Sequence, residues 1–293
     1  MRYVLYFHDQ LDKLVAENLS NELARYDIRS EIFISSSRSE VIRHLNGETV
    51  DLLVEIGDRC ESLFSKLVRK QRTKRLLLFQ TKRQRSRVPN NRMPVVVVVD
   101  LHTKDSSLKY FGNPLIDVVR SFSSVVDTPD VALPQVVVVN ESGTSRKVVG
   151  ALSKLSSDRF QCTLVDLASD FEAAIQLIQQ SHAAIVTSNR GELMSLQLNT
   201  PAIRVNHFGL FGKSRFSVLN HIADQPIISV HGHYQNDLIK SSLVKILSDH
   251  NFCAGILQDY QMVKSQIGTE PSIRKIAQYV IEWLEEAMQP STY

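Results

Sequence analysis

Eleven basic residues stand between Lys66 and Arg92, and no acidic residue falls among them. Arg69, Lys70, Arg72, Lys82, Arg83, Arg85 and Arg87 form the body of this run. Cations at that density attract phosphate, whether on lipid headgroups, nucleotides or nucleic acid. The formal net charge of the whole chain is only +3, so the remainder is net acidic. The plain alternative is a solvated helix face followed by a loop. Nucleic acid is the weaker partner, because the basic residues are not interleaved with a set of aromatic stacking platforms. Two other residue groups bear on chemistry. His231 and His233 form a His-Gly-His pattern that lacks a third ligand, so no metal and no cofactor is expected. Cys60, Cys162 and Cys253 are scattered and form no C-x-x-C pair, which fits a reducing cytosol.

The elements that must position these residues read as an alternation. The chain has 293 residues, 43% hydrophobic and 22% charged, an ordinary globular composition with room for about two domains. No apolar run approaches the roughly 18–20 residues that cross a bilayer, and His8 and Asp9 come too early for a signal peptide. Strands are expected at Arg2–Phe7, Glu31–Ile34, Val50–Ile56, Arg75–Phe79 and Val95–Val99, and helices at Leu11–Tyr26, Arg38–Leu45 and Glu61–Arg72. After Pro129 and Pro134 the pattern restarts. Strands are expected at Val136–Val139, Gln161–Val165, Ala183–Thr187 and Ala202–Val205, and helices at Arg146–Leu155, Asp170–Ser181 and from Glu192. Short apolar strands alternating with helices imply parallel sheets covered on both faces. The expectation is an α/β protein with two Rossmann-like parallel-sheet domains facing a cleft. The domains would be 1–128 and 129–270, with a C-terminal helix over 271–293 that packs back on the first. That helix carries Ile273, Ile276, Ala277, Val280, Ile281 and Leu284 on one stripe, and Trp283 reads as a packing residue.

Several segments carry a family resemblance. Tyr110–Asp117 reads YFGNPLID and resembles the G-H-P-L-x-D motif of lipid-A-disaccharide synthase, a family 19 glycosyltransferase of the GT-B type, with Asn113 in place of His. Leu53–Lys70 resembles that family's I-D-x-P-D-F-N stretch, with Glu55 and Asp58 on its two acidic positions. Ser181–Val205 is similar to the strand, S-G-T-x-T-L-E helix start and G-T-P entry. There Ser188 matches, the acidic position falls on Met194, and Glu192 stands two places early. Phe216–Asp224 resembles L-P-N-x-I-A through Asn220, and Gln235 takes the place of a family Gln. The phosphate loop survives loosely as ESGTSR over 141–146. The departures are equally visible. FHDQLD over 7–12 replaces a glycine-rich S-G-E-x-S-G-D turn and keeps only Asp12, and QTKRQRSR over 80–87 replaces an aromatic segment.

The resemblance implies transfer of an acylated glucosamine from a UDP-sugar donor to an acylated sugar phosphate acceptor. Such a transfer needs a base for the acceptor hydroxyl and positive groups or helix N-termini for the leaving diphosphate. It assigns the base to Asp58, with Asp12 second, and nucleotide-sugar binding to Gly143, Ser145, Arg146, Ser188, Asn220 and Gln235. Each of these has an ordinary structural reading beside it: Asp58 and Ser188 as helix caps, the Gly143–Arg146 stretch as a strand-to-helix loop. The resemblance also places the protein in the cytoplasm, peripheral on the inner membrane, with the Lys66–Arg92 run against an anionic surface. The alternative is a catalytically inactive descendant that keeps the scaffold and binds nucleotide-sugar, lipid or a protein partner.

Overall fold

The computed structural model describes residues 3–7, 10–34, 40, 43–44, 50–56, 74–79, 95–97, 108–109, 111–122, 132–141, 150, 152, 155–167, 169–206, 217–232, 235–268 and 270–288. These divide into two compact units, one of Met1–Val118 with Glu270–Tyr293 and the other of Val119–Thr269. The expected helices Arg38–Leu45, Glu61–Arg72 and Arg146–Leu155 lie largely outside the described residues.

The first unit holds a parallel sheet of β1 (Tyr3–Phe7), β2 (Ser30–Ile34), β3 (Leu52–Ile56), β4 (Lys74–Phe79), β5 (Val95–Val97) and β6 (Leu108–Lys109), in the order β2-β1-β3-β4-β5-β6. All five residues of β1 and of β3 are buried, as parallel strands covered on both faces must be. Helix α1 (Gln10–Ala24) presents Val15, Ala16, Leu19 and Leu23 to this core, one face of a 3.6-residue period.

Helix α2 (Pro114–Phe122) follows a turn that Gly112 makes at φ 97°, a conformation side chains with a Cβ resist. Asn113 caps the turn, its Oδ1 accepting from the Leu115 N–H at 3.0 Å. Helix α8 (Ser272–Met288) belongs to this unit and lies against α1, burying Ile273, Ile276, Ala277, Val280 and Leu284. Ile281, expected on the same stripe, is only half-buried, because five apolar residues already fill the contact arc. Each fully buried aliphatic side chain of this stripe contributes roughly 1.5–3 kcal/mol. Asp117 fastens the start of α8: its Oδ2 accepts from the Ile273 N–H at 2.9 Å, satisfying a donor the first helical turn leaves unmet. Tyr279 packs on Phe111 at 5.2 Å and stacks with Trp283, which gives Trp283 its packing role.

The second unit holds β7 (Gln135–Asn140), β8 (Gln161–Asp166), β9 (Ala183–Val186), β10 (Ala202–Asn206) and β11 (Val230–Gly232), all parallel, in the order β11-β10-β9-β7-β8. Val136–Val139 of β7, between β9 and β8, are fully buried. Its helices are α3 (Phe171–Gln180), α4 (Asn189–Gln197), α5 (Val218–Ile222), α6 (Asn236–Ser248) and α7 (His250–Ile267). Helix α4 starts at Asn189 rather than at Glu192 because Ser188 caps it. Helix α7 is tied to the sheet at one point and to the end of α4 at another. The buried Tyr260 hydroxyl accepts from the Ala202 N–H at 3.1 Å. The Lys264 ammonium donates to the Asn199 Oδ1 at 2.7 Å and to the Gln197 carbonyl at 3.1 Å, closing the last turn of α4. Asn199 holds φ 57°, a left-handed position that asparagine tolerates at a helix end. Among the described residues no helix is long and apolar enough to cross a membrane.

Two outcomes follow from these ties. Asp117→Ala should lower stability by about 1 kcal/mol in chemical denaturation, the usual worth of a lost helix cap. Burial, and next the charge of Arg120, pull the Lys264 ammonium down from its ordinary 10.5 to about 8. The unfolded chain therefore holds a proton that the folded chain has released between those values, and stability should rise with pH across that window. Lys264→Met should remove that part of the rise when denaturation midpoints are compared at pH 8 and pH 10.

Candidate functional site

Parallel strands all end at one edge of their sheet. In the second unit that edge carries, in spatial order across β8, β7, β9, β10 and β11, the residues Asp166, Asn140, Thr187, Asn206 and Gly232. The first strand of the unit, β7, lies between β8 and β9, so the connections leaving it run to opposite sides of the sheet. A crevice opens outside the carboxyl ends at such a reversal, and ligands of open α/β sheets bind there.

Asn140 and Thr187 meet at this reversal. The Thr187 N–H and hydroxyl both donate to the Val139 carbonyl, at 3.2 and 3.3 Å. Asn140 is 7% exposed and its Nδ2 donates to the Asp166 Oδ2 at 2.8 Å. A carboxylate only accepts, so this bond fixes which way the amide faces. The Asn140 Oδ1 is left buried with no hydrogen-bond partner. An unmet buried acceptor costs about 1–3 kcal/mol, and a donor from a bound molecule would recover it.

Ser188 follows immediately. Its Oγ accepts from the Gly191 N–H at 3.1 Å and sets the first turn of α4 just past the end of β9; helix N-termini in general favour an anion. Gly191 lets that turn sit close on the strand end: an added Cβ would stand 3.1 Å from the Val186 Cβ. The buried Arg190 bridges to the Glu141 Oε1 at 3.0 Å, strapping the chain just past β7 to α4.

Beneath this rim Glu192 is wholly buried. Its Oε1 accepts from the Arg204 Nη1 at 3.0 Å, and its Oε2 accepts from the Ser217 hydroxyl at 2.8 Å and the Leu219 N–H at 3.1 Å. The Arg204 Nε donates to the Asn206 Oδ1 at 2.7 Å. Burial pushes the Glu192 carboxyl up, while Arg204 and the two hydrogen bonds act to keep it ionised. One carboxylate thus joins α4, β10 and α5.

The sequence-predicted residues are placed as follows. Ser188 stands just past the end of β9, at the strand reversal, as the N-cap of α4. Asn220 and Gln235 are spent on loop backbone around β11. The Asn220 Oδ1 accepts from the Ile227 and Ile228 N–H groups, both at 2.9 Å, and its Nδ2 donates to the Ile228 carbonyl at 3.0 Å. The Gln235 Oε1 accepts from the Gly232 N–H at 2.7 Å. Met194, on the acidic position of the resemblance, is fully buried, and the acid that matters locally is Glu192. Asp12 lies in the first turn of α1, 1% exposed, after the strand β1 at which the first sheet reverses between β2 and β3. Asp58, Gly143, Ser145, Arg146 and the basic residues Arg69, Lys70, Arg72, Lys82, Arg83, Arg85 and Arg87 lie outside the described residues. His231 of the His-Gly-His pattern is half-buried, with its Nε2 2.9 Å from the Ser242 hydroxyl. Burial pushes the Cys162 thiol up to about 11, so it is protonated and weakly nucleophilic at neutral pH. Sequence reasoning missed Asn140, Asp166, Arg190 and Arg204. The available signal for Asn140 was the first polar residue after a run of four valines.

No family model matches the chain, and no curated protein matches it in sequence. Solved structures do match. The UDP-GlcNAc 2-epimerase of Methanocaldococcus jannaschii in complex with UDP-GlcNAc and UDP superposes with a TM-score of 0.67 at 8% identity, over 96% of this chain and 100% of that one. The S. aureus MnaA–UDP structure gives 0.68 at 9% identity, over 100% of this chain and 99% of that one. A glycosyltransferase of Streptomyces sp. SF2575, complexed with thymidine diphosphate, gives 0.63 at 9% identity over 96% and 99%. The chain has the GT-B fold. Its two parallel sheets are those expected from the alternation of strands and helices, and the GT-B architecture is the part of the family resemblance these structures share. Within this GT-B chain, Glu192→Ala should cost about 3–5 kcal/mol in urea denaturation, because Arg204 would be left buried without its counter-charge.

Proposed function

We propose that the protein binds a uridine diphosphate sugar at the carboxyl edge of its second sheet. The observation that carries this reading is the buried, unmet Asn140 Oδ1 at the strand reversal, beside the capped start of α4. A nucleotide sugar offers what that edge lacks: a uracil N–H or ribose hydroxyl as donor to Asn140, and a diphosphate for helix N–H groups. The shared fold of three proteins whose structures contain UDP, UDP-GlcNAc or thymidine diphosphate supports the same class of ligand.

The finer reading is glycosyl transfer of the lipid-A-disaccharide synthase type. Asp58 or Asp12 would take the proton of the acceptor hydroxyl, and Gly143, Ser145 and Arg146 with Ser188 would hold the leaving diphosphate. The acceptor would be an acylated sugar phosphate at an anionic membrane surface, with the Lys66–Arg92 run as the electrostatic contact. A second reading, ligand binding without turnover, is favoured by a specific observation. Asn220 and Gln235 have their side-chain oxygens committed to backbone N–H groups, and Asn113 stands where the family has His.

Calorimetric titration with UDP tests the binding reading. One saturable site is expected, and Asn140→Ala should weaken it about tenfold, roughly 1.4 kcal/mol. Failure of UDP to bind at millimolar concentration overturns it. UDP release from UDP-2,3-diacylglucosamine in the presence of acceptor separates the two finer readings, since turnover supports transfer and binding without turnover supports the scaffold.

A further inference from the structure

A second recess lies against β10 and β11. It is bounded by Ala202 and Ile203 at the start of β10, by the Pro226–His231 approach into β11, and by the facing sides of α6 and α7. Its volume is about 930 Å³, the upper part of the range of small-molecule sites. Its Ala202–Ile203 wall stands at the amino end of β10, while its His231 wall is level with Val205, one residue short of the carboxyl edge.

The lining has a direction. Ile203, Ile227, Ile228, Ile246 and Ile256 make an aliphatic body. Near the α6–α7 junction, the Lys245 ammonium sits 4.0 Å from the centre of the Phe252 ring. Lys245 has no carboxylate partner among the described residues, so an anion would be its first full counter-charge there. Asp259 lines the recess eight residues along α7 from Asn251, about 12 Å at helical rise, and repels a second negative group. At Gly255, between them on the α7 wall, an added Cβ would meet no atom within 4 Å. Gly255 is itself exposed, so a larger side chain there can extend over the recess without a clash.

We propose that this recess is a second ligand site, for a compact anionic amphiphile: a hydrocarbon body against the isoleucine walls and one acidic head at Lys245 and Asn251. The proposal is independent of nucleotide-sugar binding at the carboxyl edge.

The test uses the full chain with two probes, 8-anilinonaphthalene-1-sulfonate for an aromatic body and decanoate for an acyl one. The sulfonate should bind saturably at one site by fluorescence. Gly255→Leu, which fills the recess from a position free of clashes, should weaken it about tenfold or more, and Lys245→Gln about tenfold. The neutral analogue N-phenyl-1-naphthylamine should bind equally to wild type and Lys245→Gln. Displacement of the sulfonate by decanoate assigns an acyl ligand, and its failure to displace assigns an aromatic one. UDP titrations should be the same in both variants. Sulfonate binding that is unsaturable, or unchanged in Gly255→Leu, overturns the site, as does displacement of the probe by UDP.

Discussion

Parallel pairing is the constraint on which the rest of this protein depends. Strands that run one way can be joined only by crossovers, and the crossovers cover both faces of the sheet. Strand interiors covered on both faces are then mostly apolar, as in β1, β3 and Val136–Val139, which are buried throughout. The same geometry sends all strand carboxyl ends to one edge, and Asp166, Asn140, Thr187 and Asn206 stand along it.

Polar groups near that edge fall into two kinds. Glu192, Arg204, Ser217 and Asn206 satisfy one another, and their burial is tolerated because the carboxylate and guanidinium hold several hydrogen bonds at once. Asn220 and Gln235 likewise close on nearby backbone. The Asn140 Oδ1 is different, since its amide is oriented by Asp166 and the oxygen is left facing no donor. The Asn189 Oδ1 and the Ser195 hydroxyl of α4 are likewise buried without a hydrogen-bond partner. The second recess combines an aliphatic lining, one cation and an exposed glycine on a helix wall.

The family resemblance reads differently once partners are known. Asp117 matches a motif of glycosyltransferases, yet in this protein its Oδ2 caps the first turn of α8, tying residues far apart in the chain. Glu192, two positions from its motif place, accepts from Arg204, Ser217 and Leu219. Matched residue types therefore locate segments well and assign roles poorly, because one carboxylate can serve a backbone N–H, a guanidinium or a substrate with equal chemistry.

Much was legible in the chain alone. Runs such as Val136–Val139 admit only a buried strand between helices, and the 3.6-residue stripe of Ser272–Met288 announces a helix that must dock. Periodicity is a local property, so local composition determines it. Start positions were less legible: α4 begins at Asn189 because the Ser188 side chain reaches the Gly191 N–H, a contact that spacing does not reveal. Only the tertiary structure decided that α8 lies on α1, that Asn140 faces Asp166, and that Glu192 turns inward to Arg204. Each of these joins residues from different elements. Which groups meet across elements is set by strand order and helix docking, and these depend on how the buried faces fit together rather than on any one stretch of chain.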